Sequence, residues 1–365
     1  MPILESMDSF RQAQGRALEL LGFGPMECSY RIVDAGGYWR LRDYSGGESG
    51  PPLIIVAAPI KRPYIWDLAP AASVVRYCLY HRLRVYLLEW LPPAAGDDAA
   101  GLDEYADEAI ADAVARVADG KGEVRPFLMD HSLGGTFAAV FAALHPESLR
   151  GLVLLGSPLC FQPGMSRFWD ALVSLAPARL PETEVIAGTL LSLLSALASP
   201  HTFLSSRLVD VALSITDPAA LEMHGRVERW TLDEVPLPGR LVQQVLQWLY
   251  RENRFCRGIL SVRGRTVGPS SLRLPLLAVV NTADEIAPLA SVKPFIDAMP
   301  VRDVRLIEYP GETGVGLQHL AVLAGRKAYA QIWPQIIAWL GALFQRQEAT
   351  GGAAPLVCQE AELLA

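Results

Sequence analysis

Apolar positions along the chain follow two alternating patterns, which predict a succession of strands and helices. A continuous apolar run, typical of a strand buried on both faces, occurs at 53–59, and further strand-like apolar segments lie at 84–89, 125–129 and 151–155. Segments with apolar residues at helical spacing lie between or after them, at about 68–81, 102–119 and 135–144. Strands that alternate with helices predict an α/β protein with a mostly parallel central sheet flanked by helices.

The first part of the chain does not follow this alternation. Residues 9–21 carry apolar positions at helical spacing and stop at Gly22, which predicts a short amphipathic helix. Residues 29–43 contain two β-rich runs with a Gly-Gly break between them, which predicts a hairpin.

Between residues 160 and 273 the pattern becomes helical and proline-interrupted, without regular strands, and we interpret this stretch as an inserted cap. The strand pattern returns at 274–281 and 303–308, and a helix at about 326–345 follows. The predicted α/β core has two parts, residues 1–159 and 274–346. The mainly helical cap, 160–273, is inserted between them, and a weakly ordered tail, 347–365, follows.

Composition narrows the possible functions. The longest apolar run, 185–198, is shorter than the about 20 residues that span a bilayer, so we expect a buried or lid helix and no membrane span. A formal charge of -7 argues against nucleic acid as a partner, because binding to phosphates needs a basic face. No cluster of residues has metal-ligand spacing, and the chemistry proposed below for the site needs no cofactor.

The cysteines and the N-terminus predict a cytoplasmic location. Five cysteines lie far apart without C-x-x-C pairs, so we expect them to be reduced: Cys28, Cys78, Cys160, Cys256 and Cys358. The N-terminal residues lack the basic stretch, apolar core and cleavage site of an export signal.

The segment FLMDHSLGGTFAAVFAALHP carries the strongest chemical signal. Ser132 lies between an apolar strand and a helix that begins with two glycines, as in a nucleophile elbow. The usual pattern is G-x-S-x-G, and Asp130 replaces its first glycine. Either the elbow tolerates this side chain, or its carboxylate crowds the elbow and places negative charge beside the oxyanion.

A serine nucleophile needs a base and an orienting carboxylate, which follow in the order serine, acid, histidine in this fold. Asp284 comes just after the strand LPLLAVVN, and Glu285 is its neighbour and rival. His319 lies in a glycine-rich loop between the last strand and the last helix, where the base must stand. We expect His131, although adjacent to the nucleophile, to point elsewhere.

An acyl-transfer site also needs two donors for the oxyanion. The backbone N–H of Leu133 is the first, and Ile60 in the loop after LIIVAAP is the first candidate for the second, because Pro59 has no N–H. Lys61 is the alternative donor. The charges of Lys61 and Arg62 have a second interpretation, as ordinary solvated loop residues.

Four stretches of the chain, between about residue 51 and residue 340, together resemble the poly(3-hydroxyalkanoate) synthase family, and in particular its shorter bacterial catalytic subunits. They are PIKRPYIWDLAPAASVVRYCLYHRLRVYLLEW, SLGGTFAAVFAALHPESLRGLVLLGSPL, WLYRENRFCRGIL and HLAVLAGRKAYAQIWPQIIAWL. The resemblance implies an α/β-hydrolase fold with a cap and a nucleophile-Asp-His triad that acts on 3-hydroxyacyl esters or thioesters. It assigns these roles to Ser132, Asp284 and His319, the last at the family's interval from Trp333.

Three departures from the family bear on activity. Family synthases have a cysteine nucleophile where this chain has Ser132, and serine favours hydrolysis over thioester exchange. Glu285 stands where the family usually has a histidine after the acid, and the family's loop asparagine is absent at Ile60 and Lys61.

The leading hypothesis from the sequence is a serine esterase or thioesterase that acts on a hydrophobic acyl ester, such as a 3-hydroxyalkanoate oligomer, or on a 3-hydroxyacyl thioester. The first alternative is an acyltransferase or polymerase that uses 3-hydroxyacyl-CoA. The second is a non-catalytic homologue that binds lipid or the surface of a polymer granule, and Asp130 is the feature behind it. Apolar cap residues suit a hydrophobic substrate, although packed cap helices need the same residues.

Overall fold

A computed structural model describes residues 2–47, 49–94, 99–118 and 124–351 of the chain. Its strands, in chain order, are β1 (Arg31–Ala35), β2 (Trp39–Asp43), β3 (Pro52–Val56), β4 (Asp67–Ala69), β5 (Ala72–Ser73), β6 (Arg84–Trp90), β7 (Phe127–His131), β8 (Gly151–Leu155), β9 (Val185–Ile186), β10 (Leu237–Pro238), β11 (Leu260–Val262), β12 (Arg265–Val267), β13 (Leu276–Asn281) and β14 (Val304–Tyr309).

The α-helices of the described residues are α1 (Pro2–Leu18), α2 (Val74–Tyr80), α3 (Ala109–Val117), α4 (Leu133–Leu144), α5 (Arg167–Leu175), α6 (Gly188–Ala198), α7 (Ser206–Ser214), α8 (Pro218–Thr231), α9 (Gly239–Gln244), α10 (Lys293–Asp297), α11 (Ala321–Ala324), α12 (Arg326–Gln331) and α13 (Trp333–Gly351). Wider π-type turns lie at Glu19–Phe23, Glu104–Glu108, His201–Ser205 and Val245–Arg251, and 3-10 turns at Pro63–Trp66, Pro146–Ser148, Pro269–Ser271, Leu289–Ser291 and Gln318–Leu320.

One eight-stranded sheet forms the centre of the molecule, in the order β1-β2-β6-β3-β7-β8-β13-β14. From β6 to β14 neighbouring strands are parallel, whereas β2 is antiparallel to both of its neighbours. Strands β3, β7 and β8 are buried along their whole length, which explains why they appear as continuous apolar runs in the sequence. The predicted α/β-hydrolase class is confirmed.

The parallel register brings the ends of three strands together. Val56 at the end of β3 lies opposite Asp130 of β7, and His131 lies opposite Leu155 of β8. Because parallel strands end at the same edge of a sheet, the residues that follow β3, β7, β8 and β13 meet there.

The observed elements differ from the predicted ones in local detail. Residues 67–73 form the small hairpin β4–β5 ahead of α2, where the sequence predicts the start of the helix. The predicted closing helix is divided into α12 and α13 next to Pro334, which cannot donate a backbone hydrogen bond. Residues 347–351 belong to α13 although a weakly ordered tail is predicted there, and the rest of that tail lies outside the described residues.

The stretch 160–273, predicted as a cap, contains helices α5 to α9 together with two short antiparallel pairs, β9 with β10 and β11 with β12. These pairs are only two or three residues long on each side, too short to produce a strand pattern in the sequence. The division into core and cap domains remains a prediction.

The expectation that all cysteines are reduced is wrong for one pair. Cys160 and Cys256 form a disulfide, although 96 residues separate them in the sequence. Cys28 and Cys78 are free, and Cys358 lies outside the described residues. Spacing in the sequence could not reveal this bond, because only folding brings the two Cα atoms to 5.2 Å. The cytoplasmic location, which depended on reduced cysteines, remains a prediction.

Within the described part of the chain, no helix is both long and apolar enough to cross a bilayer. The apolar run 185–198 instead forms β9 and α6, and only Gly188 and Thr189 of α6 are buried.

Candidate active site

Ser132 occupies a sharp turn between β7 and α4. Its backbone has φ 58° and ψ -134°, a conformation that costs energy for any residue with a side chain. The next turn of α4 packs so tightly on β3 that a Cβ on Gly134 would lie 2.5 Å from the carbonyl oxygen of Val56. A glycine is therefore required beside the nucleophile, and the strained turn holds Ser132 at the carboxyl edge of the sheet.

Asp284 and His319 form a buried hydrogen-bonded pair at the same edge. Nδ1 of His319 donates to Oδ2 of Asp284 at 2.7 Å, and the backbone N–H of Ile286 donates to Oδ1 at 2.8 Å. Burial by itself would raise the pKa of Asp284. The charge interaction and the hydrogen bond with His319 oppose this effect, as do hydrogen bonds from the backbone N–H groups of Ile286 and Ala287. Together they lower the pKa below its usual value. Asp284 is therefore ionised and fixes the orientation of the imidazole.

The other ring nitrogen of His319 is available for chemistry. With Nδ1 donating to Asp284, Nε2 carries a lone pair, and it is buried without a hydrogen-bond partner in the described part of the chain. His319 and Ser132 line the same cavity. No hydrogen bond joins them in this structure, in keeping with the looser geometry of catalytic pairs that have no substrate bound.

Glu285, the rival acid, points away from His319. Its carboxylate accepts hydrogen bonds from the hydroxyls of Ser199, at 3.1 Å, and of Thr202. Its side chain is 46% exposed, whereas that of Asp284 is 2% exposed. Of the two neighbouring acids, only Asp284 therefore has the contact that orients His319.

Asp130 is completely buried beneath the elbow. Its Oδ1 accepts the backbone N–H of Val56 at 2.9 Å, while Oδ2 has no partner among the described residues. Burial raises the pKa of this carboxyl well above its usual value, against the smaller opposing effect of the Val56 hydrogen bond. A neutral carboxyl places no negative charge beside an oxyanion, and it ties the end of β3 to the end of β7.

The expectation that His131 points elsewhere is wrong. Its Nε2 lies 2.8 Å from the backbone oxygen of His319, and the two ring centroids are 4.4 Å apart. Burial, with the nearby His319, lowers the pKa of His131 to about 3, so the ring is neutral and donates through Nε2–H. A side chain adjacent in sequence to Ser132 thus supports the backbone of His319 from below.

The two predicted oxyanion donors, Leu133 and Ile60, both line the cavity beside Ser132. Leu133 is the first residue of α4, where backbone N–H groups have no partner within the helix. Leu133 and Ile60 thus line the cavity that Ser132 also lines, and their role as oxyanion donors stays a prediction.

The side chain of Lys61 is held by several contacts, while the role of its backbone N–H as the alternative oxyanion donor stays a prediction. Its Nζ donates to Glu234 Oε1 at 2.8 Å, to Ser192 Oγ at 3.1 Å and to the carbonyl oxygen of Thr231. Burial lowers the pKa of Lys61 to about 8, against the opposing effect of Glu234. The side chain is 15% exposed, so it is not a solvated loop residue, and its three donors are occupied.

Glu234 was not predicted from the sequence. It joins Lys61, in the loop after β3, to the segment after α8, and Arg11 of α1 also donates to it. A single acidic residue in a loop has no spacing or periodicity, so no sequence pattern could have indicated this contact.

The cavity above Ser132 has a volume of about 310 Å³ and is mainly apolar. Its walls include Phe168 and Trp169 of α5, Leu190 and Leu194 of α6, and Tyr250. Arg11, Lys61 and Arg207 lie at the polar part of the wall. In the part of the chain that the structure describes, no group of three or more His, Cys, Asp or Glu side chains could hold a metal ion.

The sequence matches a known protein family and known relatives. Residues 66–311 match the model of the alpha/beta hydrolase fold. The poly(3-hydroxyalkanoate) polymerase subunit PhaC of Haloferax mediterranei is 29% identical over 82% of this chain, which spans 60% of the length of that relative. The PhaC subunit of Allochromatium vinosum is 25% identical over 87% of this chain and 89% of the relative.

Comparison of structures gives the same fold. The crystal structure of the Paleococcus ferrophilus monoacylglycerol lipase superposes with a TM-score of 0.53 and 16% identity, over 85% of this chain and 100% of the lipase. From its sequence and its fold, the chain belongs to the α/β-hydrolase family, as a member similar to the poly(3-hydroxyalkanoate) synthases.

Proposed function

We propose that the protein is a serine acyl hydrolase that cleaves hydrophobic acyl esters or thioesters. The observation that carries this proposal is the buried pair of Asp284 and His319: Nε2 of His319 has no hydrogen-bond partner among the described residues, and His319 and Ser132 line the same cavity. Ser132 is the nucleophile, His319 the general base and Asp284 the residue that orients it.

The reaction proceeds through an acyl-enzyme. Oγ of Ser132 attacks the carbonyl carbon while its proton passes to Nε2 of His319, and the oxyanion accepts hydrogen bonds from the N–H groups of Leu133 and Ile60. His319 then protonates the leaving alcohol or thiol as the bond to the carbonyl carbon breaks. In the second half, His319 takes a proton from water as the water oxygen attacks the acyl carbon. His319 then returns this proton to Oγ of Ser132 as the bond between Oγ and the acyl carbon breaks, which releases the acid and restores the serine.

The cavity supports the choice of substrate class. Apolar side chains of α5 and α6, among them Phe168 and Leu194, form most of its surface, so an aliphatic acyl chain gains free energy by leaving water there. The relatives named as poly(3-hydroxyalkanoate) polymerases favour a 3-hydroxyalkanoate oligomer or a 3-hydroxyacyl thioester within this class. A cytoplasmic enzyme at the surface of a polymer granule would fit such a substrate.

An acyltransferase or polymerase that uses 3-hydroxyacyl-CoA is the second candidate. Similarity to polymerase subunits over more than 80% of the chain favours it. Against it stands Ser132, because a serine hydroxyl exchanges with thioesters less readily than a thiolate does.

The first experiment is labelling with a fluorophosphonate probe, which reacts with an activated serine. The wild-type protein is expected to label and Ser132→Ala to stay unlabelled. Ser195→Ala is the matched control, because Ser195 lines the same cavity but donates to the carbonyl of Leu191 at 2.9 Å, and it should label like wild type. A silent wild type, or equal labelling of wild type and Ser132→Ala, would contradict the proposal.

Product analysis separates the two candidates. With 3-hydroxybutyryl-CoA, hydrolysis releases one free 3-hydroxybutyrate for each CoA, whereas polymerisation releases CoA without an equal amount of free acid. Equal amounts support the hydrolase, and an excess of CoA with oligomer in the product supports the polymerase. Ser132→Ala should abolish either reaction.

A further inference from the structure

The loop that carries His319 has an unusual backbone conformation. Between β14 and His319, the residues Gly311, Gly314 and Gly316 all have positive φ, at 73°, 81° and 69°. Residues with side chains rarely adopt this conformation, so the glycines allow the loop to turn back toward the sheet. A loop of this composition has little conformational preference of its own and needs outside contacts to stay in one position.

Asp210 of helix α7 supplies contacts in the middle of this loop. Its Oδ1 accepts the backbone N–H of Gly314 at 2.7 Å, and its Oδ2 accepts the backbone N–H of Gly316 at 2.8 Å. Oδ2 also accepts Nδ1–H of His224, on the neighbouring helix α8, at 2.8 Å. One carboxylate thus satisfies two loop amides and is itself held by a second helix.

The surroundings of Asp210 make the contact specific. The residue is 6% exposed on a helix whose Leu208, Val209 and Leu213 are 58% to 70% exposed. Burial would raise the pKa of Asp210, but the hydrogen bonds from His224, Gly316 and Gly314 lower it, so the group is ionised at neutral pH. Bonds from neutral donors to an ionised carboxylate are stronger than bonds between neutral groups.

The fit between loop and helices is also tight. A Cβ on Gly314 would lie 2.7 Å from Cβ of Ala220, and a Cβ on Gly316 would lie 3.0 Å from the side chain of Val227, both on α8. Closer to His319, the side-chain amide of Asn281 donates to the backbone oxygen of Gln318 at 2.8 Å. The loop is therefore held by the sheet at one point and by α7 and α8 at another.

We propose that Asp210 is a positioning residue for His319: it fixes the Gly314–Gly316 segment of the loop and thereby holds the imidazole over Ser132. The proposal rests on the proposed function, because it assigns His319 the role of the base. Helix α7 lies in the stretch predicted as a cap, so the cap contributes to the alignment of the catalytic pair as well as to the walls of the cavity.

The experiment compares Asp210→Asn and Asp210→Ala with wild type on a soluble short-chain ester. We expect kcat to fall about 100-fold in Asp210→Ala, because small misplacements of a catalytic group have effects of this size, while KM stays nearly constant. In Asp210→Asn, kcat should fall less, since the side-chain oxygen still accepts a hydrogen bond from one backbone amide. Val209→Ser, at the exposed neighbour on the same helix, is the matched control and should behave like wild type.

Hydrogen exchange gives a readout that does not depend on catalysis. In the full-length chain, amides of residues 311–317 should exchange faster in both Asp210 variants, with the central sheet unchanged. Asp210→Asn keeps the volume of the side chain, so it remains informative if Asp210→Ala fails to fold.

The outcomes separate two kinds of failure. If wild type hydrolyses esters and both Asp210 variants keep its kcat and its exchange pattern, the positioning role is overturned. A rise in KM at constant kcat, or lost activity without faster exchange in the loop, would overturn it too, because Asp210 would then act elsewhere. If wild type neither labels nor hydrolyses, the proposed function fails first, and the exchange data still report whether Asp210 holds the loop.

Discussion

The imidazole of His131 lies against that of His319 and donates a hydrogen bond to its backbone oxygen, with Nε2 at 2.8 Å and ring centroids 4.4 Å apart. His131 follows Asp130 at the end of β7 and directly precedes Ser132. The end of β7 therefore both leads into Ser132 and contacts the backbone of His319, so one short segment supports both proposed catalytic residues.

This relationship predicts a pH dependence of stability. The pKa of His131 is about 3 in the folded chain and near 6.5 when exposed, so between these values only the unfolded chain binds the proton. Acid therefore favours unfolding through this residue, by up to about 1.4 kcal/mol per pH unit. In His131→Gln, which keeps a donor for the His319 carbonyl, the free energy of unfolding should fall less steeply from pH 6.5 to pH 4.5.

Urea unfolding at several pH values between 4.5 and 7.5 measures this difference. His201→Gln is the matched control, because the side chain of His201 is 76% exposed and its removal should leave the slope unchanged. If the free energy of unfolding changes with pH by the same amount in wild type and His131→Gln, His131 is protonated in the folded chain as in the unfolded one.

The neutral state of Asp130 predicts that Asp130→Asn stabilises the protein above about pH 4. The pKa of this carboxyl is raised on folding, so the folded chain holds a proton that the unfolded chain releases, and stability falls as pH rises. Asparagine has no such proton and still accepts the N–H of Val56. The melting temperatures of wild type and Asp130→Asn, measured at pH 4, 7 and 9, should differ more as the pH rises.

Asp130→Gly, which restores G-x-S-x-G, should instead destabilise the chain by about 1–3 kcal/mol, because the buried N–H of Val56 loses its acceptor. Both Asp130 variants should label with the fluorophosphonate probe about as fast as wild type. If Asp130→Gly labels strongly and wild type does not label, Asp130 lowers the reactivity of Ser132 with the probe. That result would favour the non-catalytic hypothesis.

The two neighbouring acids should differ sharply in their effect on activity. Asp284→Asn removes the carboxylate that accepts Nδ1–H of His319, and by analogy with other triads kcat should fall about 10⁴-fold. Glu285→Gln is isosteric and changes contacts with Ser199, Thr202 and His201, away from His319, so its kcat should stay within about threefold of wild type. Ester hydrolysis rates measure both, and comparable losses in the two variants would argue against Asp284 as the acid.

The buried ion pair of Lys61 and Glu234 predicts a loss of stability when Lys61 is removed. In Lys61→Met the buried carboxylate of Glu234 loses one cation and keeps Arg11, so the cost should exceed that of an exposed pair and stay below the about 3–5 kcal/mol of an uncompensated buried charge. Lys293→Met is the matched control, because Lys293 and Asp297 form an exposed pair whose loss should cost less than about 1 kcal/mol. Urea unfolding at pH 7 compares the two, and equal small losses would show that Lys61 contributes little to the fold.

The central strands and the elbow were predictable because their signals are local. Strand β7 is buried along its whole length and begins with the apolar residues Phe127, Leu128 and Met129, and the turn at Ser132 needs small residues soon after it. Asp284 and His319 were predictable in position from the order of strands, since parallel strands end at one edge of the sheet.

Other contacts depend on pairs of residues that no local pattern connects. The bond between Cys160 and Cys256, the pair of Lys61 with Glu234, and the carboxylate of Asp210 on the His319 loop each join segments far apart in the chain. The sequence by itself determined the α/β core and the candidate nucleophile, because periodicity and turn chemistry act over a few residues. Only the tertiary structure decided which polar groups meet around the site, because a buried donor takes whichever acceptor packing brings within reach.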